Sequence, residues 1–344
     1  MDERKKRVLN AIIEDYIANA EPVGSRAVAK KYGLGVSPAT IRNEMSDLEE
    51  EGYIEQPHTS AGRVPSDKGY RFYVDNLMEK ARPTEEEVKA IKDALSGSVV
   101  EFDEFLRGFC NVISRLTSYP SMIALPEQGR GKLVKLQMVP VHERQVLVIM
   151  LASTGILRHK IVDLPFDIDE GEIIRLEEEL NRLALGMDMQ ELSYDFLQKK
   201  LYELGMRERI LEQSVEVLRK LFHPQDGRKV IINGATNMLA HPEFRDIEKL
   251  KTLFELLETE GKVQKLLDAG GEENLSVAIG EELADSQIRD CSMVTANYFI
   301  NGQRAGSIGV LGPTRMSYSH TVALLEYIAK ELTAVLDKNK KEIE

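Results

Sequence analysis

Five side chains within residues 37–43, Ser37, Ala39, Thr40, Arg42 and Asn43, supply the donors, acceptors and methyl groups that base edges demand. The guanidinium fork of Arg42 matches the two acceptors of guanine, the amide of Asn43 matches adenine, and the methyls of Thr40 and Ala39 can meet thymine. Further along, a segment punctuated by Gly62 and Pro65 carries His58, Arg63, Lys68 and Arg71, groups suited to phosphate. Arg63 sits at the centre of that loop, where a side chain can lie along a nucleic-acid backbone or in its minor groove.

These residues do chemistry only if the elements around them hold them out. Val8, Leu9, Ile12, Ile13, Tyr16 and Ile17 repeat with the spacing of one buried helix face, and Pro22-Val23-Gly24 ends that helix. Ser25 is read as the N-cap of a short second helix over 26–32. Gly33-Leu34-Gly35 makes the turn, and Ser37-Pro38 starts a third helix with a cap and a proline in its first turn. Ile41, Met45 and Leu48 face its core, which leaves the five polar and small residues at the exposed N-terminal end. There the helix dipole and free N–H groups also favour phosphate. Its acidic end, Asp47, Glu49, Glu50 and Glu51, points away from DNA in this reading and sits unfavourably against the C-terminal dipole. Residues 53–55 read as a strand, 58–65 as a loop, and 67–72 as the return into a further helix. Tyr70, Phe72 and Tyr73 read as core of that return rather than as a stacking platform for single strands.

Two runs, Val36-Ser37-Pro38-Ala39-Thr40-Ile41-Arg42-Asn43-Glu44-Met45 and His58-Thr59-Ser60-Ala61-Gly62-Arg63-Val64-Pro65-Ser66-Asp67-Lys68-Gly69-Tyr70-Arg71, together resemble the N-terminal domain of the HrcA family of bacterial heat-inducible transcription repressors. A second landmark is Gly306-Ser307-Ile308-Gly309-Val310-Leu311-Gly312-Pro313-Thr314-Arg315-Met316, so the resemblance runs essentially the whole chain. It implies a multi-domain α+β protein: a winged helix-turn-helix, a GAF-like α/β domain, and an inserted, mostly helical domain that makes a homodimer. It also implies an inverted-repeat operator in double-stranded DNA, repression of chaperone genes, and a chaperonin partner whose diversion by heat lowers active repressor.

The rest of the sequence fits that organisation. A chain of 344 residues exceeds one ordinary domain. Strand signals at 121–125, 133–141, 145–151 and 155–162 give way to a helical block from 169 to about 222. A brief strand at 230–232 and a helix over 247–267 follow. Strands resume at 276–280, 293–300 and 303–311, with Asn301-Gly302 as a hairpin turn, and a helix over 318–336 closes the pattern. The domains are accordingly read as 1–83, the winged helix; 84–165 and 271–344, the two parts of the GAF-like domain; and 166–270, the insertion. The leucines of 176–221 serve the insertion's own core, a subunit interface, or both.

Net charge is −12, which at first opposes DNA binding. Residues 1–83 carry 13 Lys and Arg against 14 Asp and Glu, so nearly all of the excess lies elsewhere. The cations Arg4, Lys5, Lys6, Arg7, Lys30, Lys31, Arg42, Arg63, Lys68 and Arg71 fall on segments expected to face phosphate, so affinity depends on placement and should fall steeply with salt. No apolar run approaches a membrane span, and residues 1–7 lack the apolar core of a signal peptide, which together point to a cytoplasmic protein that does not bind membrane. Two isolated cysteines, Cys110 and Cys291, suit a reducing compartment. The six scattered histidines form no metal-ligand spacing, no nucleophile elbow is present, and the glycine pairs lack the nucleotide-binding fingerprints, so neither an enzyme, a metal nor a cofactor is expected. A small-molecule-responsive regulator, with an effector in the GAF-like domain, is the competing reading.

Overall fold

The computed structural model describes the chain except residues 34, 60, 96–101, 125–131, 143, 153–156, 164–168, 189–229, 284, 301 and 342–344. Three helices open it. Helix α1 (Glu3–Asn19) is capped by Asp2, whose carboxylate accepts from the Lys5 N–H at 2.8 Å, and buries Val8, Leu9, Ile12 and Ile13. It stops ahead of Pro22 because Ala20 turns left-handed and returns its N–H to the Tyr16 carbonyl. Helix α2 (Ser25–Tyr32) includes Ser25 as its first residue; Gly24 holds the cap position with no side-chain bond, so Ser25 is not the cap that its type suggests. Helix α3 (Pro38–Glu50) starts as expected, with the Ser37 hydroxyl accepting from the Thr40 N–H at 3.1 Å, and buries Ile41, Met45 and Leu48.

Two short antiparallel strands follow, β1 (Ile54–Glu55) and β2 (Val64–Pro65), with Ile54 opposite Pro65 and Glu55 opposite Val64. The return strand is therefore Val64 and Pro65, ahead of the 67–72 segment that sequence alone made the return. Those residues already form helix α4 (Asp67–Phe72), because the Ser66 hydroxyl caps it by accepting from the Gly69 N–H, and a wider helical turn continues to Leu77. After the linker, Thr84 and Glu87 cap helix α5 (Glu85–Leu95) reciprocally. Helix α6 (Phe102–Thr117) then leads into strand β3 (Ser121–Ala124).

The chain next leaves this body. Strands β4 (Leu133–His142), β5 (Gln145–Ala152) and β6 (Leu157–Asp163) form their own antiparallel sheet, and helix α7 (Glu170–Ala184) packs on it. Leu133, Leu136, Met138, Val146, Val148, Met150 and Val162 are buried on that sheet, as are Ile173, Leu176 and Leu180 on α7. Polar side chains stitch the helix to the edge strand: Asn181 accepts from the Leu136 N–H at 3.0 Å, and Glu177 from the Met138 N–H at 2.7 Å. Much of the expected helical block, including the leucines of 196–221, lies outside the described residues.

Strand β7 (Val230–Asn233) re-enters the first body. Helices α8 (Ile247–Glu258) and α9 (Glu260–Asp268), strands β8 (Leu275–Ile279), β9 (Cys291–Ile300) and β10 (Gln303–Pro313), and helix α10 (Tyr318–Lys341) complete it. The single helix expected over 247–267 is thus two, broken at Thr259. The five-stranded antiparallel sheet runs β7-β3-β10-β9-β8. One face buries Met122, Met293 and Leu311 against Leu253, Leu256 and Leu257 of α8 and Val263, Leu266 and Leu267 of α9. The alternate residues Val294, Ala296, Ile308 and Val310 are also buried. On that side Cys110 of α6 contacts Ser121, and Tyr318 of α10 shares a 2.7 Å hydrogen bond with Ser292.

By internal contacts the chain divides into Met1–Ala124 with Val230–Asp337, and Leu125–Lys229 with Lys338–Glu344. The interruption therefore begins and ends about forty residues earlier than the sequence reading of 166–270. The reason is in the pairing: β3 has β7 on one side and β10 on the other, so no edge of it is left for β4, and the 133–163 strands must form a separate sheet. The architecture is α+β, as expected. Among the described residues no helix is long and apolar enough to cross a membrane.

Candidate nucleic-acid interface

Helix α3 is held from behind and open in front. Its rear face carries Ile41, Met45 and Leu48 into the core shared with α1, together with Glu44, a carboxylate that is only 6% exposed. A buried carboxylate needs a partner, and Arg4 of α1 provides it, Nε to Oε1 at 2.6 Å. The front face presents Ser37, Ala39, Arg42, Asn43 and also Ser46, all exposed. Arg42 and Asn43 have neither ion pair nor side-chain hydrogen bond among the described residues. Thr40 is half-buried, and its hydroxyl lies 3.0 Å from that of Ser37, so these two hydroxyls are engaged at the cap while the arginine and the amide are not.

The acidic end of α3 is compensated. Lys5 reaches Asp47 and Glu51 at 3.0 Å each, and those hydrogen bonds hold its ammonium well above the usual lysine range. Lys68 donates to the carbonyl of Glu51 at 2.7 Å, which places a cation on the terminal carbonyls where the helix dipole is negative. The same ammonium sits over the Tyr53 ring at 4.5 Å. The expected conflict between acidic residues and dipole is thus offset by cations from α1 and α4, partners remote in sequence.

The loop between β1 and β2 is tied down at both its sides. Gln56 donates to the carbonyls of Thr59 and Ala61, at 3.1 and 3.0 Å. Arg63 exchanges backbone hydrogen bonds with Val23, both 2.9 Å, joining the loop to the α1–α2 connection. Gly62 is required there: a Cβ at this position would lie 2.5 Å from the Val23 carbonyl oxygen, and backbone cannot yield as a flexible side chain does. The Arg63 guanidinium in turn donates to Glu49 of α3, Nε at 3.0 Å and Nη2 at 2.7 Å from one oxygen. Loop, inter-helix connection and α3 are therefore one assembly. His58 is exposed at the far end of the loop, its carbonyl accepting from the Ala61 N–H.

Arg71 does not join this group. Its Nε donates to Glu282 at 2.8 Å, a second nitrogen pairs with the other oxygen of Glu282 and donates to the Val277 carbonyl, and Nη1 meets Asp75 at 3.2 Å. Three of these four bonds hold α4 to the β8 end of the sheet, and with all three guanidinium nitrogens engaged the fork is turned to protein carboxylates and not to phosphate, contrary to the sequence expectation. Several other expected phosphate-facing cations are engaged as well, Arg4 with Glu44, Lys6 with Glu3 and Lys31 with Asp15. In residues 1–77, Arg7, Arg26, Lys30 and Arg42 are exposed with neither an ion pair nor a side-chain hydrogen bond among the described residues. Arg26 and Lys30 are one helical turn apart on α2; Lys30 was among the cations expected to face phosphate, whereas Arg26 was not. Glu49 was missed too, since nothing local links it to an arginine fourteen residues on. Among the described residues no group of three or more His, Cys, Asp or Glu is placed to hold a metal ion.

A protein-family model described as HrcA protein C terminal domain matches residues 103–322. The heat-inducible transcription repressor HrcA of Pelotomaculum thermopropionicum is 42% identical over 340 residues, 98% of this chain and 97% of that one. The chain belongs to the HrcA family. Because the relative is matched over nearly its full length, the N-terminal helices and the hairpin loop fall inside the shared region as well as the sheet. The HrcA of Carboxydothermus hydrogenoformans is likewise 42% identical, covering 98% of each chain. Among solved structures, a crystal structure of a hypothetical protein at 2.2 Å resolution resembles this chain, with a TM-score of 0.63 and 25% identity over 98% of this chain and 99% of that chain. The family is one of heat-inducible transcription repressors by the names its members carry.

Proposed function

We propose that this chain is a sequence-specific DNA-binding repressor of heat-shock chaperone operons that grips an inverted-repeat operator as a dimer. In this reading residues 1–83 are a winged helix: α3 enters the major groove, Arg42 and Asn43 read base edges, and Ser37, Ala39 and Thr40 complete the approach at its N-terminal turn. The β1–β2 loop is the wing, with Arg63 and His58 at the flanking backbone, while Lys68 steadies the helix behind them. Arg26 and Lys30 of α2 meet phosphate, as the helix preceding a recognition helix does. The five-stranded sheet with its helices is the GAF-like domain, and the unit that interrupts it between β3 and β7 makes the dimer. Relief on heat shock follows, by family resemblance, from loss of chaperonin-assisted folding.

The observation that carries this reading is the exposed N-terminal half of α3, where among the described residues a guanidinium fork and an amide stand side by side without internal partners, while Glu44, Asp47 and Glu49 of the same helix are each paired with a cation. The test is selection of bound duplexes from random double-stranded DNA by the purified full-length protein. A palindromic consensus with two half-sites supports both the reading helix and the dimer; recovery of no enriched sequence overturns it.

A further inference from the structure

We infer that Asp67, Arg71 and Glu282 form a clasp that fixes the reading head on the sheet domain and so sets the half-site spacing the dimer accepts. The inference rests on the proposed dimeric operator reading and adds to it a set of positioning residues that touch no DNA.

The clasp is built from two reciprocal contacts at the ends of one short helix. At the start of α4, Asp67 accepts from the Glu281 N–H at 3.1 Å. One turn later, Arg71 holds the Glu282 carboxylate with two nitrogens and also donates to the Val277 carbonyl at 2.6 Å. The strand β8 side is shaped to receive this. Gly280 turns left-handed at φ +53°, and a Cβ there would lie 1.8 Å from Asp67 Oδ2, so the turn and the carboxylate meet with no intervening atom. Glu282 is itself positioned, its second role being to accept from the Ile279 N–H at 3.0 Å. Between the two polar contacts the Tyr70 side chain is fully buried and packs on Tyr318 of α10, ring centroids 5.8 Å apart. A third tie comes from the α1 side, where Arg315 donates to the Ile17 carbonyl at 3.2 Å while paired with Glu243.

Helix α4 directly follows β2, and its cap Ser66 donates to the Gly52 carbonyl at 2.7 Å, just beyond the end of α3. The attitude of α3 is therefore transmitted through α4 to the sheet domain. Each added base pair moves a half-site about 3.4 Å along the helix axis and about 35° around it. A rigid attachment cannot follow a shift of two base pairs, whereas a loosened one can.

The experiment compares the full-length protein with Glu282→Ala, with Gly280→Ala as an independent way of opening the clasp, and with the charge-exchanged pair Arg71→Glu plus Glu282→Arg. Each is titrated against its selected operator, the same operator with two base pairs inserted between half-sites, a single half-site, and random duplex; thermal melting confirms that each variant is folded. The expected result is a loss on the order of a hundredfold on insertion for the unaltered protein and less than about tenfold for both clasp-opening variants, single half-site affinity being unchanged. The exchanged pair restores the discrimination. A spacing profile in Glu282→Ala identical to that of the unaltered protein overturns the clasp. So does a uniform rise on all DNA, which would mean that the released Arg71 is simply a phosphate contact. An unaltered protein indifferent to spacing overturns the dimeric reading itself, and the clasp falls with it.

Discussion

Glu49, on the last turn of α3, accepts both the Nε and the Nη2 of Arg63 from the β1–β2 loop, at 3.0 and 2.7 Å. The pair lies between the helix proposed to read bases and the loop proposed to lie on the backbone, and it is partly exposed, 21% for the arginine and 34% for the glutamate. An ion pair of that exposure contributes roughly 0 to 1 kcal/mol, little enough for a phosphate to displace the carboxylate.

Replacing Glu49 by Gln is accordingly expected to change stability by less than about 1 kcal/mol and to raise affinity for random duplex several-fold, since a repelling charge is removed and Arg63 is released. The slope of log affinity against log salt should steepen by about one counterion. Titrations at several salt concentrations read both quantities. If Arg63→Ala binds random duplex as well as the unaltered protein does, the loop is not a backbone contact.

Arg42→Ala and Lys30→Ala separate base reading from phosphate contact. The first is expected to relax preference at one operator position by roughly 1 to 3 kcal/mol, the second to weaken all duplexes alike and flatten the salt slope by about one. Competition between the operator and single-base variants measures the first effect. Equal losses on operator and random DNA for Arg42→Ala would remove its base-reading role. Lys68→Ala, by contrast, acts on stability, because its exposed ammonium is engaged by the Glu51 carbonyl at the end of α3 and by the Tyr53 ring; about 1 kcal/mol is expected in urea unfolding.

Gly62→Ala tests the union of loop and helices. The added methyl would lie 2.5 Å from the Val23 carbonyl oxygen, so the two 2.9 Å backbone hydrogen bonds between Val23 and Arg63 must lengthen or break. A cost of roughly 1 to 3 kcal/mol follows from overpacking a site closed by backbone. Operator affinity should fall more than random-duplex affinity, because the displaced loop no longer sits in register with α3. Unchanged melting and binding would show that the loop is held by contacts other than this one.

The local elements of residues 1–77 were legible because each carries its own signal: Ser37-Pro38 at a helix start, Ile41, Met45 and Leu48 at helical spacing, Gly62 in a loop. What each cation touches was not. Lys5, Lys68, Arg63 and Arg71 look alike in sequence, yet their partners lie 46, 17, 14 and 211 residues away, at separations that no local pattern encodes. The early onset of the interruption had a signal, Pro126, Gly129 and Gly131 beside charged residues. It was outweighed by the continuing run of strand-forming residues, since strand propensity does not say which sheet a strand will join.

The clasp also carries a pH signature whose sign differs between its two carboxylates. For Glu282, burial works to raise the pKa, but the hydrogen bonds from Arg71 and from the Ile279 N–H outweigh it and hold the carboxyl below its ordinary range. A group depressed in the folded state contributes stability that is present above its unfolded pKa and is lost as the pH falls through the folded value. Asp67 is the reverse: burial raises it above its ordinary value, more than the Glu281 N–H lowers it. Its ionised form is disfavoured by the fold, so its contribution is best below the unfolded pKa and is lost as the pH rises through the folded value. Glu282→Gln should therefore cost most near neutral pH and progressively less on acidification below about pH 4.5, because the unaltered protein loses the same contribution. Asp67→Asn should be tolerated better at neutral pH than Glu282→Gln, since it keeps an acceptor for the Glu281 N–H and removes a disfavoured charge. Urea midpoints at pH 7 and pH 4 for the three proteins provide the measurement. A Glu282→Gln deficit that grows on acidification would contradict the assigned ion pair.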